Sequence, residues 1–345
     1  MPLSLLGFMA LLFTSGLDVG LIMLPLTEFP LYAREPVYAF ANPLAIAFGF
    51  WGFLVWGFYF LTTFYFLAIE PHVRLFEIPS VKLVNNLVII GTCAFTAHLL
   101  WRNLPFYVPS IGEASRYAVV ALTVLMSALT STHIRYVRVL SVWSMWLFGT
   151  LVAVMWVASG MGVGGFADSA AALGSYFANL PRFVVPMSDY HAFYLFWWFS
   201  WSIMIGQFVS RFVGGLRTWQ LAVALLVIPS IPLGAWFSVL YFYFRQDTPV
   251  HPLLATAMVV VGIVFVINSL DSLIRLYSDN LGFTARRLGT GRYVAAHWLL
   301  IYSLVLAFQF TPLRIEWIGL VVIGLYAAVY LLLLRWWRAR RWVLA

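Results

Sequence analysis

Charge is scarce in this chain: Asp, Glu, Lys and Arg make up only 9% of its 345 residues, where a soluble domain carries about a quarter. Water-exposed surface cannot be covered at that density, so an ordinary soluble protein is excluded. Cysteine is scarcer still. Cys93 stands alone, which excludes an intrachain disulfide and any Cys-x2-Cys metal centre. Alternation of apolar and polar residues is missing, which argues against a membrane β-barrel. The first apolar stretch has no basic leader, so no cleavable signal is expected. Metal-ligand spacing, a phosphate loop and a nucleophile constellation are also missing, and an enzyme is not expected. His98 and His297 fall at membrane depth, where haem or pigment ligation is conceivable, but nothing beyond their presence supports it.

What fills the chain instead is apolar: 63% of residues are hydrophobic, in many runs of the roughly 20 residues that cross a bilayer as a helix. Ten spans are expected, near 3–32, 41–68, 80–101, 115–133, 139–159, 189–213, 217–243, 250–278, 293–311 and 315–335. The longest polar connection, 160–188, is too short for a soluble domain. With both termini in the cytoplasm, only Arg34, Arg102, Arg116, Arg182, Arg245 and Arg314 lie outside, leaving 14 of the 20 Lys and Arg inside. That asymmetry obeys the positive-inside rule. The net charge of +8 therefore reads as topology, not as nucleic-acid binding, and the Arg335–Arg341 tail as an anchor against anionic membrane lipid. A multi-pass protein of a cell inner membrane is the expected setting.

Two spans carry helix-poor sequence. The first contains Gly16, Asp18 and Gly20; the sixth runs from Trp197 through Ser200 and Ser202 to Gly206. Glycines and an acid at this depth are tolerated where backbone is buried or lines a wet cavity, though Gly16 and Gly20 also suit tight helix packing. Interruptions five spans apart match a 5+5 inverted-repeat transporter, with substrate held near the midplane between the breaks. The halves would be 1–160 and 161–345, one membrane domain.

Six aromatic residues sit beside those places. On an ideal helix, Trp51, Trp56 and Tyr59 fall within roughly 140° of one face, and Trp197, Trp198 and Trp201 within roughly 100° of theirs. They read either as membrane-interface aromatics or as a cage for an organic cation, whose attraction to ring faces grows where water is excluded.

These residues resemble the betaine/choline/carnitine transporter (BCCT) family. The run from Phe193 to Arg211, FYLFWWFSWSIMIGQFVSR, is similar to the family's signature of paired tryptophans, Ser-Trp, a glycine and a terminal arginine. Leu216–Thr218, Val227–Ser230 with Trp236–Val239, and Val266–Ser272 resemble the segments that follow it. Trp51-x4-Trp56-x2-Tyr59 has the spacing of the family's aromatic box, and Gly16-x-Asp18-x-Gly20 with Thr27-Glu28-Phe29-Pro30 resembles its glycine-rich break.

The resemblance implies a short member lacking two peripheral N-terminal helices: an all-α integral membrane protein of ten transmembrane helices with a LeuT-like core broken in helices 1 and 6. It implies alternating-access uptake of a quaternary ammonium compound such as choline, glycine betaine or a carnitine-like molecule. Trp51, Trp56, Tyr59 and Trp198 would surround the onium head and Trp197 and Trp201 line its route. Gly16, Asp18 and Gly20 would complete the substrate site. Asp18 departs from the family's Gly-x-Gly-x-Gly and Gly-x-Gly-x-Asp forms. It could be a counter-charge for a cationic substrate, a proton carrier, or a ligand or helix-cap for the broken segment. No resident cofactor is implied, only Na+ or H+ as a coupling ion. Asn268 and Ser269 would offer sodium ligands where the family has Thr-Ser, and Thr92 and Thr96 have the one-turn spacing of a second site. That second site's aromatic partner aligns with Met204. A non-transporting quaternary-amine receptor, or a membrane subunit of a larger complex, is the alternative, and an oligomer is left open.

Overall fold

A computed structural model describes residues 19–213 and 215–343. With no water in a bilayer core to satisfy backbone groups, apolar segments close their hydrogen bonds internally as helices. The structure is 84% helical, with no strand among the described residues. In chain order the main helices are α1 (Val19–Arg34), α2 (Pro43–Trp51), α3 (Leu54–Phe64), α4 (Pro79–Tyr107), α5 (Glu113–Thr130) and α6 (Ile134–Ala158). Then follow α7 (Asp189–Ser210), α8 (Ser230–Arg245), α9 (Pro252–Leu281), α10 (Thr290–Phe310) and α11 (Ile315–Val343).

Among the described residues, 8 segments are long and apolar enough to cross a membrane: 43–73, 79–107, 134–158, 189–210, 218–245, 252–281, 290–310 and 315–338. This is a multi-pass membrane protein. Two further expected spans are helical without meeting that measure. The described part of the first is α1, of 16 residues, and the fourth is α5, of 18 residues, whose opening turn carries Glu113 and Arg116. At the centre, α9 packs against α4, α5, α6 and α1, while α7 lies between α3 and α11.

Polar side chains repair the backbone wherever these helices are irregular. Pro25 lacks the N–H that would bond to the Leu21 carbonyl, and the Trp236 indole donates to that carbonyl at 3.0 Å instead. The second span breaks outright at Gly52, which is extended (φ −100°, ψ −174°) and separates α2 from α3. Its freed amides find partners far along the chain: Phe53 N–H donates to Ser230 Oγ at 3.1 Å, and Leu54 N–H to the Tyr176 hydroxyl at 3.2 Å. Tyr176 comes from the 160–188 connection, which folds into short helices at Val163–Ala171 and Gly174–Ala178 rather than a loose loop. Phe183 of the same connection is buried above Gly49.

The break expected in the sixth span is not found. Helix α7 runs without interruption from Asp189 to Ser210. Ser200 and Ser202 do not open it, because their hydroxyls fold back onto the carbonyls of Trp197 and Phe199. Gly206 serves contact rather than breakage. A Cβ there would sit 2.7 Å from Thr62 Cβ and 2.8 Å from the Thr62 carbonyl carbon. Thr62 Oγ1, one turn away, donates to the Ser202 carbonyl at 2.7 Å, so α3 and α7 touch backbone to backbone. The interruption expected in the first span, at Gly16 and Asp18, lies outside the described residues; Gly20 is buried in the first turn of α1.

Candidate functional site

The break at Gly52 aims the aromatic residues. Trp51 ends α2, Trp56 and Tyr59 sit on α3, and Trp197, Trp198 and Trp201 sit on α7; all six are buried. Because Gly52 turns the chain, Trp51 does not share one continuous helix face with Trp56 and Tyr59, as ideal spacing suggested. Trp198 instead joins the two pieces. Its ring lies 4.8 Å from Trp51 at 75°, and 6.5 Å from Tyr59 at 75°. Tyr59 in turn lies 5.1 Å from Trp56 at 78°. Four rings thus follow one another, each turned nearly perpendicular to the next. The Trp198 indole donates to the Phe50 carbonyl at 2.5 Å, which ties the central wall to the last turn before the break.

Trp197 stacks on Trp198 (4.9 Å, 8°) and meets Trp51 edge to face at 5.4 Å. Behind it, Phe95 and Phe193 touch the Trp197 ring at 5.9 and 5.8 Å. Both line a cavity of about 350 Å³ that also holds His98, Arg102, Arg314 and Glu316, at the end of the bundle expected to face outward. Trp197 therefore stands between the box and this cavity. Trp201 is 1% exposed, one turn deeper on α7. The buried indole nitrogens of Trp51, Trp56, Trp197 and Trp201 have no hydrogen-bond partner among the described residues.

A second cluster escaped the sequence reading. Glu28 on α1 is 3% exposed and accepts three tyrosine hydroxyls: Tyr32 at 2.9 Å from its own helix, and Tyr190 and Tyr194 from α7. Glu28 with Tyr32, and Tyr190 with Tyr194, are i,i+4 pairs on two facing helices, a spacing that puts each pair on one face. An acid at membrane depth was the available signal. At the opposite end, α4, α7 and α9 are clasped by amides. Asn85 donates to Gln207 at 3.2 Å, Asn280 to Asn86 at 3.1 Å and to Gln207 at 3.4 Å, and Arg211 to Asn280 at 2.8 Å.

The residues expected to hold a coupling ion fall on two helices that pack together, Thr92 and Thr96 on α4 and Asn268 and Ser269 on α9, all buried. Thr92 and Thr96 donate to the Val88 and Thr92 carbonyls, which leaves hydroxyl lone pairs available as ligands. Asn268 Oδ1 accepts from Ser141 Oγ at 3.0 Å. His297 bonds to the Tyr277 hydroxyl at 2.7 Å, and His98 stacks between Trp101 and Phe308; among the described residues no three His, Cys, Asp or Glu side chains group as a metal centre.

Fold and site together define a polytopic helical membrane protein with a buried cluster of aromatic rings. No protein-family model matches the chain. It is 24% identical to the glycine betaine transporter OpuD of Bacillus subtilis over a stretch covering 68% of this chain and 54% of that protein. It is 30% identical to a glycine betaine/proline/choline transporter of Vibrio parahaemolyticus over 21% of this chain and 14% of the relative. With an uncharacterized transporter of Mycobacterium tuberculosis the identity is 32% over 19% and 13%. The chain is thus a distant relative of curated betaine transporters, and it spans about half or less of the length of those it matches.

Proposed function

We propose that this protein is a secondary active transporter, not an enzyme, that takes up a quaternary ammonium compound such as choline, glycine betaine or a carnitine-like molecule by alternating access. One observation carries the reading: the succession of perpendicular walls Trp51, Trp198, Tyr59 and Trp56 across two spans. A trimethylammonium group donates no hydrogen bonds and gains most from ring faces in a dry site. The relatives support the substrate class, since two of them are named for glycine betaine. Both termini would face the cytoplasm of an inner membrane.

Trp197 and Trp201 would line the route on either side of the box, and Gly16, Asp18 and Gly20 would supply the backbone and charge beside it. Sodium, as a co-substrate, would be held by Asn268 and Ser269 with Thr92 and Thr96 as a second set; a proton is the other coupling ion. Of the roles open to Asp18, the counter-charge role for a cationic substrate is the one a substrate comparison tests. Asp18→Gly is expected to weaken choline binding several-fold more than glycine betaine binding, measured by competition against labelled substrate. Equal loss for both would reject the counter-charge role.

The test of transport is accumulation of labelled choline or glycine betaine by proteoliposomes under an imposed Na+ or H+ gradient. Uptake above protein-free vesicles is expected. Tight binding without uptake under any gradient would instead fit a receptor or subunit.

A further inference from the structure

Glu28 has a place in the box that neither its relatives' names nor the aromatic motif assigns. Its two carboxylate oxygens are met by three tyrosine hydroxyls, the donors that a buried carboxylate needs to stay ionised. One donor, Tyr194, is itself packed on the box, with its ring 5.8 Å from Trp51, 5.6 Å from Trp197 and 6.2 Å from Trp198. Another, Tyr32, meets Phe50 edge to face at 5.4 Å, and the Phe50 carbonyl is the acceptor for the Trp198 indole. The carboxylate is therefore one ring behind the walls through Tyr194 and two rings behind them through Tyr32 and Phe50, all three buried. Cations that could cancel its field, Arg34 and Arg102, are exposed and screened by solvent.

We propose that Glu28 is a specificity-determining residue whose buried carboxylate, held by Tyr32, Tyr190 and Tyr194, biases the aromatic box toward ligands of net positive charge. This rests on the proposed onium site and deepens it. Ring faces already favour a methylated cation over an uncharged molecule of the same shape; a fixed negative charge behind them adds to that preference. A unit charge about 10 Å away in a medium of effective dielectric ~20 changes affinity about tenfold.

The experiment compares choline with 3,3-dimethyl-1-butanol, its uncharged carbon isostere, by tryptophan fluorescence or calorimetry on purified full-length protein. Glu28→Gln keeps the shape and an oxygen acceptor for the tyrosines. It is expected to weaken choline about tenfold while leaving the alcohol within about twofold. Glycine betaine, of zero net charge, replaces the alcohol as reference where alcohol binding is below detection. Glu28→Asp, which keeps the charge, should keep the preference for choline, and it stands in if Glu28→Gln fails the thermal-unfolding check for folding. Equal loss of both ligands in Glu28→Gln, an undiminished preference there, or loss of the preference in Glu28→Asp would overturn the inference. Wild-type protein that binds none of the three ligands would overturn the onium site itself.

Discussion

Replacing Trp198 by alanine is expected to lower the affinity for choline or glycine betaine by at least about 100-fold, the largest effect of any single wall. Three losses coincide there. A desolvated ring face contributes about 2 kcal/mol or more to a quaternary ammonium, already roughly 30-fold. Trp198 is also the member in contact with both halves of the box, Trp51 at 4.8 Å and Tyr59 at 6.5 Å. Its indole N–H holds the Phe50 carbonyl just before the break, and that carbonyl would lose its side-chain donor. Trp198→Phe keeps a ring face without the N–H and should fall between wild type and Trp198→Ala. Competition binding reads all three. Wild-type affinity in Trp198→Ala would mean that the onium head sits elsewhere.

Gly206→Val is expected to cost about 3 kcal/mol of stability, and Gly206→Ala about 1–3 kcal/mol, because neither can be accommodated without moving a helix. The atoms that a Cβ would strike are not all the flexible tip of a side chain: one is the Thr62 carbonyl carbon, at 2.8 Å. Pushing α3 away from α7 would also strain the Thr62–Ser202 bond and separate Tyr59 from Trp198, so affinity should fall with stability. Gly57, on the same α3 helix, provides the contrast: its added methyl would meet nothing within 4 Å. Gly57→Ala should leave stability unchanged or raise it by a few tenths of a kcal/mol. Thermal unfolding in detergent separates the two; equal behaviour would contradict the close approach of α3 and α7.

These two positions also mark how far the sequence could be read. Eight of the ten expected span locations followed from hydropathy, because a bilayer leaves each apolar segment only one backbone solution. The aromatic residues were singled out by residue type and by the BCCT resemblance, and the rings of Trp51, Trp56, Tyr59, Trp197 and Trp198 do touch one another. Which glycine breaks a helix did not follow. Gly206 and Gly52 look alike in a one-dimensional string; one is a contact point against Thr62, and the other opens the chain where Ser230 and Tyr176 can take its amides. Those partners lie more than 100 residues away, so no local pattern announces them. The same holds for Glu28. Its i,i+4 partner Tyr32 was visible, but the tyrosines on α7 that turn a buried acid into a satisfied one belong to a tertiary contact.

The account stands on the box holding a methylated onium head, and arsenocholine tests that most directly. Its arsonium centre replaces the ammonium nitrogen, and anomalous scattering from crystals of the complex locates the arsenic atom without reference to ring density. The account predicts one peak within about 6 Å of the Trp198 and Tyr59 ring centroids, enclosed by Trp51 and Trp56. A bound arsonium resolved only in the Arg102–Arg314 cavity, or anywhere outside those four rings, would contradict it.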